Sequence, residues 1–418
     1  MSRKAGLLNH QIIYTEKIVN GVFEIMFGRI DIIWWGIFLI GCWISVIWIG
    51  RASTVIWFLN EHRLTKKARS LPEPSEWPLV SVVVPARNEE EEIERCLRSL
   101  LGMDYPVLEI IAVDDDSSDQ TGVIMERLAR QDERLKVIHL KELPEGWLGK
   151  THAMFKGTQL AKGEFILFTD GNVFFEPETL QLAMRYMIHN KFDNINLYPQ
   201  PIRSNYWGNA MTDFFVMMYL VWSNPKKISN SSSKAYGGMG QFILVKRTAY
   251  EKAGGLNAIR RRIVEDFALA RLLKHSGARQ DMLLGNDLLR FTWGIGLKGF
   301  MNIVKKNAFA AHGYSLKRLF SITVNFILKA ILPYVMLFIL RDARILGYAL
   351  SVLIIHGLFG YVGFRLQSGW RSSLAFPFCV TLLLWAWWRS AVITIRQGGV
   401  RWRDRFFSLE FLRDNSSQ

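Results

Sequence analysis

The sequence predicts an α/β domain on a mostly parallel, Rossmann-like sheet, with apolar transmembrane helices at both ends. Three observations lead there. Between residues 78 and 315, short β-branched runs alternate with helical periods, the mark of βαβ units. On either side lie stretches of about twenty residues with almost no charge, long enough to cross a bilayer. Of the 418 residues, 50% are hydrophobic and only 21% charged, with 15 Trp and 27 Phe. That composition excludes a disordered chain and a protein that is water-soluble throughout. Cys42, Cys96 and Cys379 are far apart and form no CxxC, which excludes a disulfide scaffold and a cysteine zinc site. They read as small buried hydrophobes.

The first segment, residues 1–30, carries apolar positions from Leu7 to Met26 that suit an amphipathic helix on the bilayer or a short packed helix. Residues 31–51 contain the uncharged run Ile32 to Gly50, with Trp34, Trp35, Trp43 and Trp48 along it. Arg51, Arg63, Lys66, Lys67 and Arg69 follow, a basic flank that orients the C-terminal end of such a helix towards the cytoplasm. Thirty-one residues precede the run, which argues against a cleaved signal peptide. A Pro-containing linker, 52–77, leads into the α/β domain at 78–315.

Within that domain, Val80 to Val84 reads as a buried parallel strand, and Leu108 to Val113, Leu135 to Leu140 and Glu164 to Thr169 as further strands of a parallel sheet. Helices are expected over Glu89 to Leu101 and about 120–130. Beyond it, the membrane region 316–396 has apolar stretches at 319–340, 345–364 and 374–395, followed by a basic tail, 397–418. Three spans would put that tail on the face opposite the α/β domain, against the positive-inside tendency. The stretch 319–340, with Lys329 and Pro333, is therefore expected to be re-entrant or interfacial, leaving a final hairpin.

The net charge of +15 raises nucleic acid as a partner, and its distribution removes it. Residues 311–418 hold 13 Lys/Arg against 4 Asp/Glu, net +9, whereas residues 78–310 hold 30 against 27, net +3. The excess sits beside the apolar segments, as expected of a chain touching an anionic membrane face.

Polar residues collect where the strands end, the position of sites in parallel sheets. Pro85-Ala-Arg-Asn-Glu89 turns from the first strand into a helix, presenting backbone N–H groups and Arg87 to a polar ligand. Asp114, Asp115 and Asp116 end the second strand; three adjacent carboxylates repel unless donors or a cation offset them, and they suit a nucleobase N–H and ribose hydroxyls. Asp170-Gly-Asn172 ends the fourth, and two oxygen ligands so spaced can hold a cation bridging a diphosphate. Read locally it is also a common turn. Glu265 and Asp266 open a further helix, either as favourable N-terminal charges or with one of them as a general base. Arg260, Arg261 and Arg262 before them suit a diphosphate or lipid headgroups.

In order and spacing, PARNEE, VDDDSSDQT, GWLGK, AKGEFILFTDGN and VEDFALARLL resemble the family 2 glycosyltransferases of GT-A fold. With the phrase Pro144 to Lys150, the membrane segments and Gly399-Val-Arg-Trp-Arg, the chain more narrowly resembles the bacterial membrane branch that includes hopene-associated and carotenoid glycosyltransferases, and more distantly ceramide glucosyltransferases. The resemblance implies that Pro85, Arg87 and Glu89 line a uridine pocket and that Asp114 and Asp115 hold base and ribose. It implies Gly149 and Lys150 against the nucleotide and Asp170, with Asn172, at a Mg or Mn ion on the diphosphate. Asp266, in its Glu265-Asp266 motif, would be the base of an inverting transfer. Gly240, Gln241 and Phe242, in a glycine-rich stretch, and Trp293 would form a lid or acceptor wall; a structural turn is the other reading of the glycines. Met211 to Trp222 reads as core or as a surface guiding lipid.

The implied partners are a nucleotide diphosphate sugar, a lipid-like acceptor and the bacterial inner membrane, with a cytoplasmic catalytic domain and no nucleic acid. Two departures modify this. Asn172 stands where the family usually has a second Asp, so a metal ligand lacks its charge. The Gln/Arg-x-x-Arg-Trp signature of processive members is absent at Arg290-Phe-Thr-Trp293, which favours one transfer per acceptor over polysaccharide synthesis. A nucleotide-sugar-binding scaffold without turnover is the reading from outside enzymology.

Overall fold

The computed structural model describes residues 33–292, 296–402 and 405–413. The amphipathic segment expected within 1–30 and Trp293 lie outside them. The described chain forms two compact units: residues 33–50 with 324–357, and residues 51–323 with those from 358 onward.

Among the described residues, four helices are long and apolar enough to cross a membrane: Ile33–Glu61 (α1), Leu316–Ile339, Ile345–Arg365 and Trp370–Arg396. The second covers the stretch 319–340 as one continuous helical run. Its middle, Ile327–Ile331, widens to π geometry just before Pro333, which has no N–H to give to the preceding turn.

In the smaller unit, α1 and the third apolar helix approach at small residues. A Cβ on Gly347 would stand 2.9 Å from the Cys42 nitrogen, and one on Gly41 would meet the Tyr348 ring at 3.0 Å. Ser45 Oγ donates to the Gly347 carbonyl at 2.8 Å, and the Tyr348 hydroxyl to the Ile37 carbonyl at 2.8 Å. Packing through glycine and serine is how helices associate in lipid, where no hydrophobic force separates side chain from solvent. Gly347→Leu is therefore expected to destabilise the helix pair by about 1–3 kcal/mol, read as a lowered unfolding midpoint in detergent; an unchanged midpoint would contradict the close approach.

In the larger unit, the expected strands form β1 (Val80–Ala86), β2 (Leu108–Asp115), β3 (Leu135–Leu140) and β4 (Phe165–Phe168). Then come β5 (Val173–Phe175), β6 (Asn194–Tyr198), β7 (Gln200–Pro201), β8 (Ile243–Lys246), β9 (Gln280–Leu284), β10 (Leu289–Phe291), β11 (Gly399–Trp402) and β12 (Arg405–Ser408). The central sheet runs β3-β2-β1-β4-β8-β6-β9, parallel except that β8 opposes β4 and β6. β5, β10 and β7 make a second small sheet, and β11–β12 an antiparallel hairpin. β1 and β2 are buried at every position, which is why they read as β-branched runs rather than alternating ones.

After α2 (Leu64–Ala68), the helices over the sheet are α3 (Ile93–Leu101), α4 (Thr121–Ala129), α5 (Gly149–Leu160), α6 (Thr179–His189), α7 (Tyr206–Ser223), α8 (Arg247–Lys252) and α9 (Glu265–His275). α10 (Gly296–Ala311), α11 (Leu316–Phe326), α12 (Leu332–Ile339), α13 (Ile345–Arg365), α14 (Phe376–Arg396) and α15 (Leu409–Arg413) follow. α7 is core, not a lipid guide: Met211, Phe214, Met217 and Leu220 are wholly buried, and Phe214 meets the Phe376 ring of α14 at 5.6 Å. Cys96 and Cys379 are buried, and all three cysteines are free thiols, as their spacing predicted.

Candidate active site

The carboxyl ends of β1, β2 and β4 open on a cleft of about 200 Å³. Pro85, Arg87, Glu89, Asp115, Gly149, Lys150, Asp170 and Asn172 line it, together with Lys306, Arg405 and Phe407. Eight positions named from the sequence thus converge on one cavity.

The turn after β1 needs a left-handed residue, and Asn88 supplies it at φ 54°. Its carboxamide oxygen accepts from Ser118 N at 2.8 Å and its own N–H donates to Ser117 Oγ at 3.1 Å. Glu89 N donates to Thr121 Oγ1 at 2.8 Å. The turns after β1 and β2 are therefore one hydrogen-bonded unit, and α3 starts only at Ile93, later than Glu89. Arg87 crosses the same gap, donating to the Asp115 carbonyl and lying 3.4 Å from the Asp116 carboxylate.

The three aspartates of β2 divide their work. Asp114 is not among the residues lining the cleft: one oxygen accepts from Ser117 N at 3.0 Å and the other pairs with His139 Nδ1 at 2.9 Å. It shapes the turn, and its hydrogen bond raises the His139 pKa. Asp115 faces the cleft, with Arg405 Nη1 at 3.0 and 2.9 Å from its two oxygens. Burial pushes this carboxyl upward, against the pull of Arg405 and then Arg87. The pair passes over the start of α5, where a Cβ on Gly149 would lie 2.4 Å from Asp115 Oδ2 and 2.5 Å from Arg405 Nη1. Only glycine leaves that space open.

Lys150 is the hub of the next cluster. Its ammonium is 2.5 Å from Asp170 Oδ1 and 2.5 Å from Glu265 Oε1. Burial opposes the charge, but the two carboxylates outweigh it and hold the pKa above the usual lysine range. Gln241 Nε2 donates to the other oxygen of Asp170 at 3.2 Å. Beside them, Asp266 opens α9 with its oxygens accepting from Phe267 N at 2.7 Å and Gly240 N at 3.1 Å. Burial first and the Glu265 charge second push its pKa up to about 6, against Lys150 and these two N–H donors. A Cβ on Gly240 would stand 3.4 Å from Asp170 Oδ2, 3.6 Å from Asp266 Oδ2 and 3.6 Å from Lys150 Nζ, so one glycine marks where the three charges meet.

The lid reading of 240–242 is corrected in part. Phe242 is wholly buried beside Phe175 in the main core, so it is neither lid nor acceptor wall. Gly240 and Gln241 instead hold Asp266 and Asp170. Arg260 and Arg261 also serve structure: the Arg260 carbonyl accepts from Leu148 N, and the Arg261 guanidinium lies 4.8 Å over the Phe411 ring.

The donor set bears on a divalent cation. Asn172 Nδ2 donates to the Thr292 carbonyl at 2.8 Å, while its Oδ1 is buried without a partner and sits two residues from Asp170. Among the described residues, no group of three or more His, Cys, Asp or Glu is arranged to hold a metal. Asp170 and Asn172 both line the cleft, and a cation held between them would take its other ligands from the substrate and water.

Sequence reasoning missed Lys306, Arg405 and Phe407. They come from α10 and from the hairpin after α14, outside every motif of the α/β domain.

Residues 81–254 match the family model "Glycosyl transferase family 2", and this stretch holds most of the mostly parallel α/β sheet. Among its relatives are the 4,4'-diaponeurosporenoate glycosyltransferases of Staphylococcus aureus strains bovine RF122 / ET3-1 and USA300. Each is 26% identical over 234 residues, covering 53% of this chain and 60% of the relative, so the chain spans less than two thirds of their length. Among solved structures it is similar to the mannosyltransferase PcManGT from Pyrobaculum calidifontis, in complex with GDP-Man and Mn2+. That likeness has a TM-score of 0.49 and 18% identity over 86% of this chain and 98% of the other. Staphylococcus aureus TarS 1–349 with UDP-GlcNAc matches at a TM-score of 0.38 and 18% identity, over 79% and 96% of the two chains.

Proposed function

We propose that the protein is a membrane-bound, inverting glycosyltransferase that moves a hexose from a nucleotide diphosphate sugar, UDP-linked, to a hydroxyl of a lipid-like acceptor: a terpenoid, hopanoid, carotenoid or glycolipid. The observation that carries the chemistry is Asp266, a half-buried carboxyl with its pKa raised to about 6, beside Asp170 and Lys150, which line the cleft. A base poised near neutral pH takes a hydroxyl proton most effectively. The four apolar helices and the carotenoid-modifying relatives support a lipid acceptor, and the basic flank of α1 supports a cytoplasmic domain on the bacterial inner membrane.

In this reading, Pro85, Arg87, Glu89 and Asp115 take the nucleoside. Asp266 removes the acceptor proton as the acceptor oxygen attacks the anomeric carbon. The bond from that carbon to the diphosphate breaks on the opposite face, inverting configuration, and nucleotide diphosphate leaves. Lys150 bridges Asp170 and Glu265 beside the reacting centre. Asp170 and Asn172 would hold a Mg or Mn ion, which when bound supplies positive charge to the departing diphosphate.

The test compares lipid extracts from cells with and without the active protein by mass spectrometry, alongside UDP release by the purified protein from UDP-hexose. The expected result is a lipid heavier by one hexose. Long sugar chains would favour a polysaccharide synthase, and UDP binding without turnover on any lipid a nucleotide-sugar-binding scaffold.

A further inference from the structure

The hairpin β11–β12 comes after the last apolar helix, yet it supplies two residues to the cleft. Phe407 packs with Leu148 and Ile263 in one buried cluster. Those residues immediately precede Gly149-Lys150 and lie two before Glu265, so the hairpin is seated on both loops that carry the charged centre. From the same strand, Arg405 enters the cleft and grips both oxygens of Asp115, with Nη2 3.6 Å from Asp116. Lys306 lines the same cavity.

Charges decide what this arrangement receives. Lys150 is committed to Asp170 and Glu265, and Arg87 to the turn after β2. A diphosphate arriving between Asp115 and Asp170 therefore meets Arg405 as a cation reaching in from the C-terminal hairpin. A guanidinium binds phosphate oxygens in pairs as well as it binds a carboxylate, so exchange from Asp115 to phosphate keeps its hydrogen bonds. The exchange also leaves the Asp115 oxygens for ribose hydroxyls.

We infer that Arg405 is a donor-binding residue: it pairs with Asp115 before the nucleotide sugar binds and turns to the diphosphate when it does, making the C-terminal hairpin a wall of the donor site. This rests on the nucleotide-sugar reading above.

The experiment measures binding of UDP, GDP and their nucleosides by calorimetry on the full-length protein in detergent. Arg405→Gln is expected to weaken UDP roughly ten- to a hundredfold, the range for a lost charged hydrogen bond, and uridine by less than about threefold. Arg405→Lys, which keeps the charge, is expected to recover part of the loss and to melt with the wild type. Because removing Arg405 also uncovers the Asp115 charge, Arg405→Gln is repeated on Asp115→Asn, where a further loss of about tenfold for UDP marks direct contact with phosphate. Equal losses for UDP and uridine, or no further loss on Asp115→Asn, would overturn the assignment and make Arg405 a structural clamp. If the wild type binds neither UDP nor GDP, the donor reading itself fails and takes this inference with it.

Discussion

Asp266→Asn is expected to reduce sugar transfer by about 10²–10⁴-fold, the usual worth of a positioned general base, while UDP still binds. The same substitution is expected to leave the fold as stable as the wild type or more so. Asp170, Glu265 and Asp266 crowd one ammonium, Lys150, and buried like charges are costly. The pH dependence has two opposite signs. As a base Asp266 must be ionised, so kcat/KM falls as pH drops below about 6. For stability, the folded pKa lies above the unfolded value of 3.8, so the folded state retains the proton between these values. The favourable contribution is present below 3.8 and is lost as pH rises through about 6. A variant with full activity would remove Asp266 from the mechanism; an unaltered acidic limb in a partly active Asp266→Glu would separate that limb from this carboxyl.

Lys150→Met should be the most damaging single change in the site. It leaves Asp170 and the buried Glu265 facing each other without a counter-charge, and breaking a buried ion pair in this way costs about 3–5 kcal/mol. Thermal unfolding should show this, and transfer should be lost. The double variant Lys150→Met with Glu265→Gln separates the two causes: it should recover much of the melting temperature and little of the transfer. Recovery of both would make Lys150 structural only; an unchanged melting temperature in the single variant would contradict the buried bridge.

Strands β1, β2 and β4 are legible in the sequence because burial on both faces writes itself as largely apolar runs. Their polar ends are legible in part: a sudden Asp-Asp-Asp after such a run has few structural excuses, whereas Asp-Gly-Asn gains meaning only from its place at a strand end. Phe242 escapes such a reading because the glycines before it suggest a loop, although Phe242 to Val245 is itself a buried run continuing into β8. Asp114 cannot be told from Asp115 in the sequence, since only the fold decides which neighbour turns to His139 and which to the cleft. Arg405 is out of reach altogether. It meets Asp115 across 290 positions, and nothing local distinguishes it from the tail's other arginines.

The position of Arg405 also sets an order of events during synthesis. The strands that carry Pro85, Asp115 and Asp170 leave the ribosome early, but the cleft gains its last wall only after all four apolar helices have been translated. A nascent or truncated chain with a complete α/β sheet would still lack Arg405 and Phe407. With Arg405 as the donor-binding residue inferred above, competence to hold the donor would be tied to translation of the last apolar helix, and a chain stalled before it would be a poor consumer of sugar nucleotides.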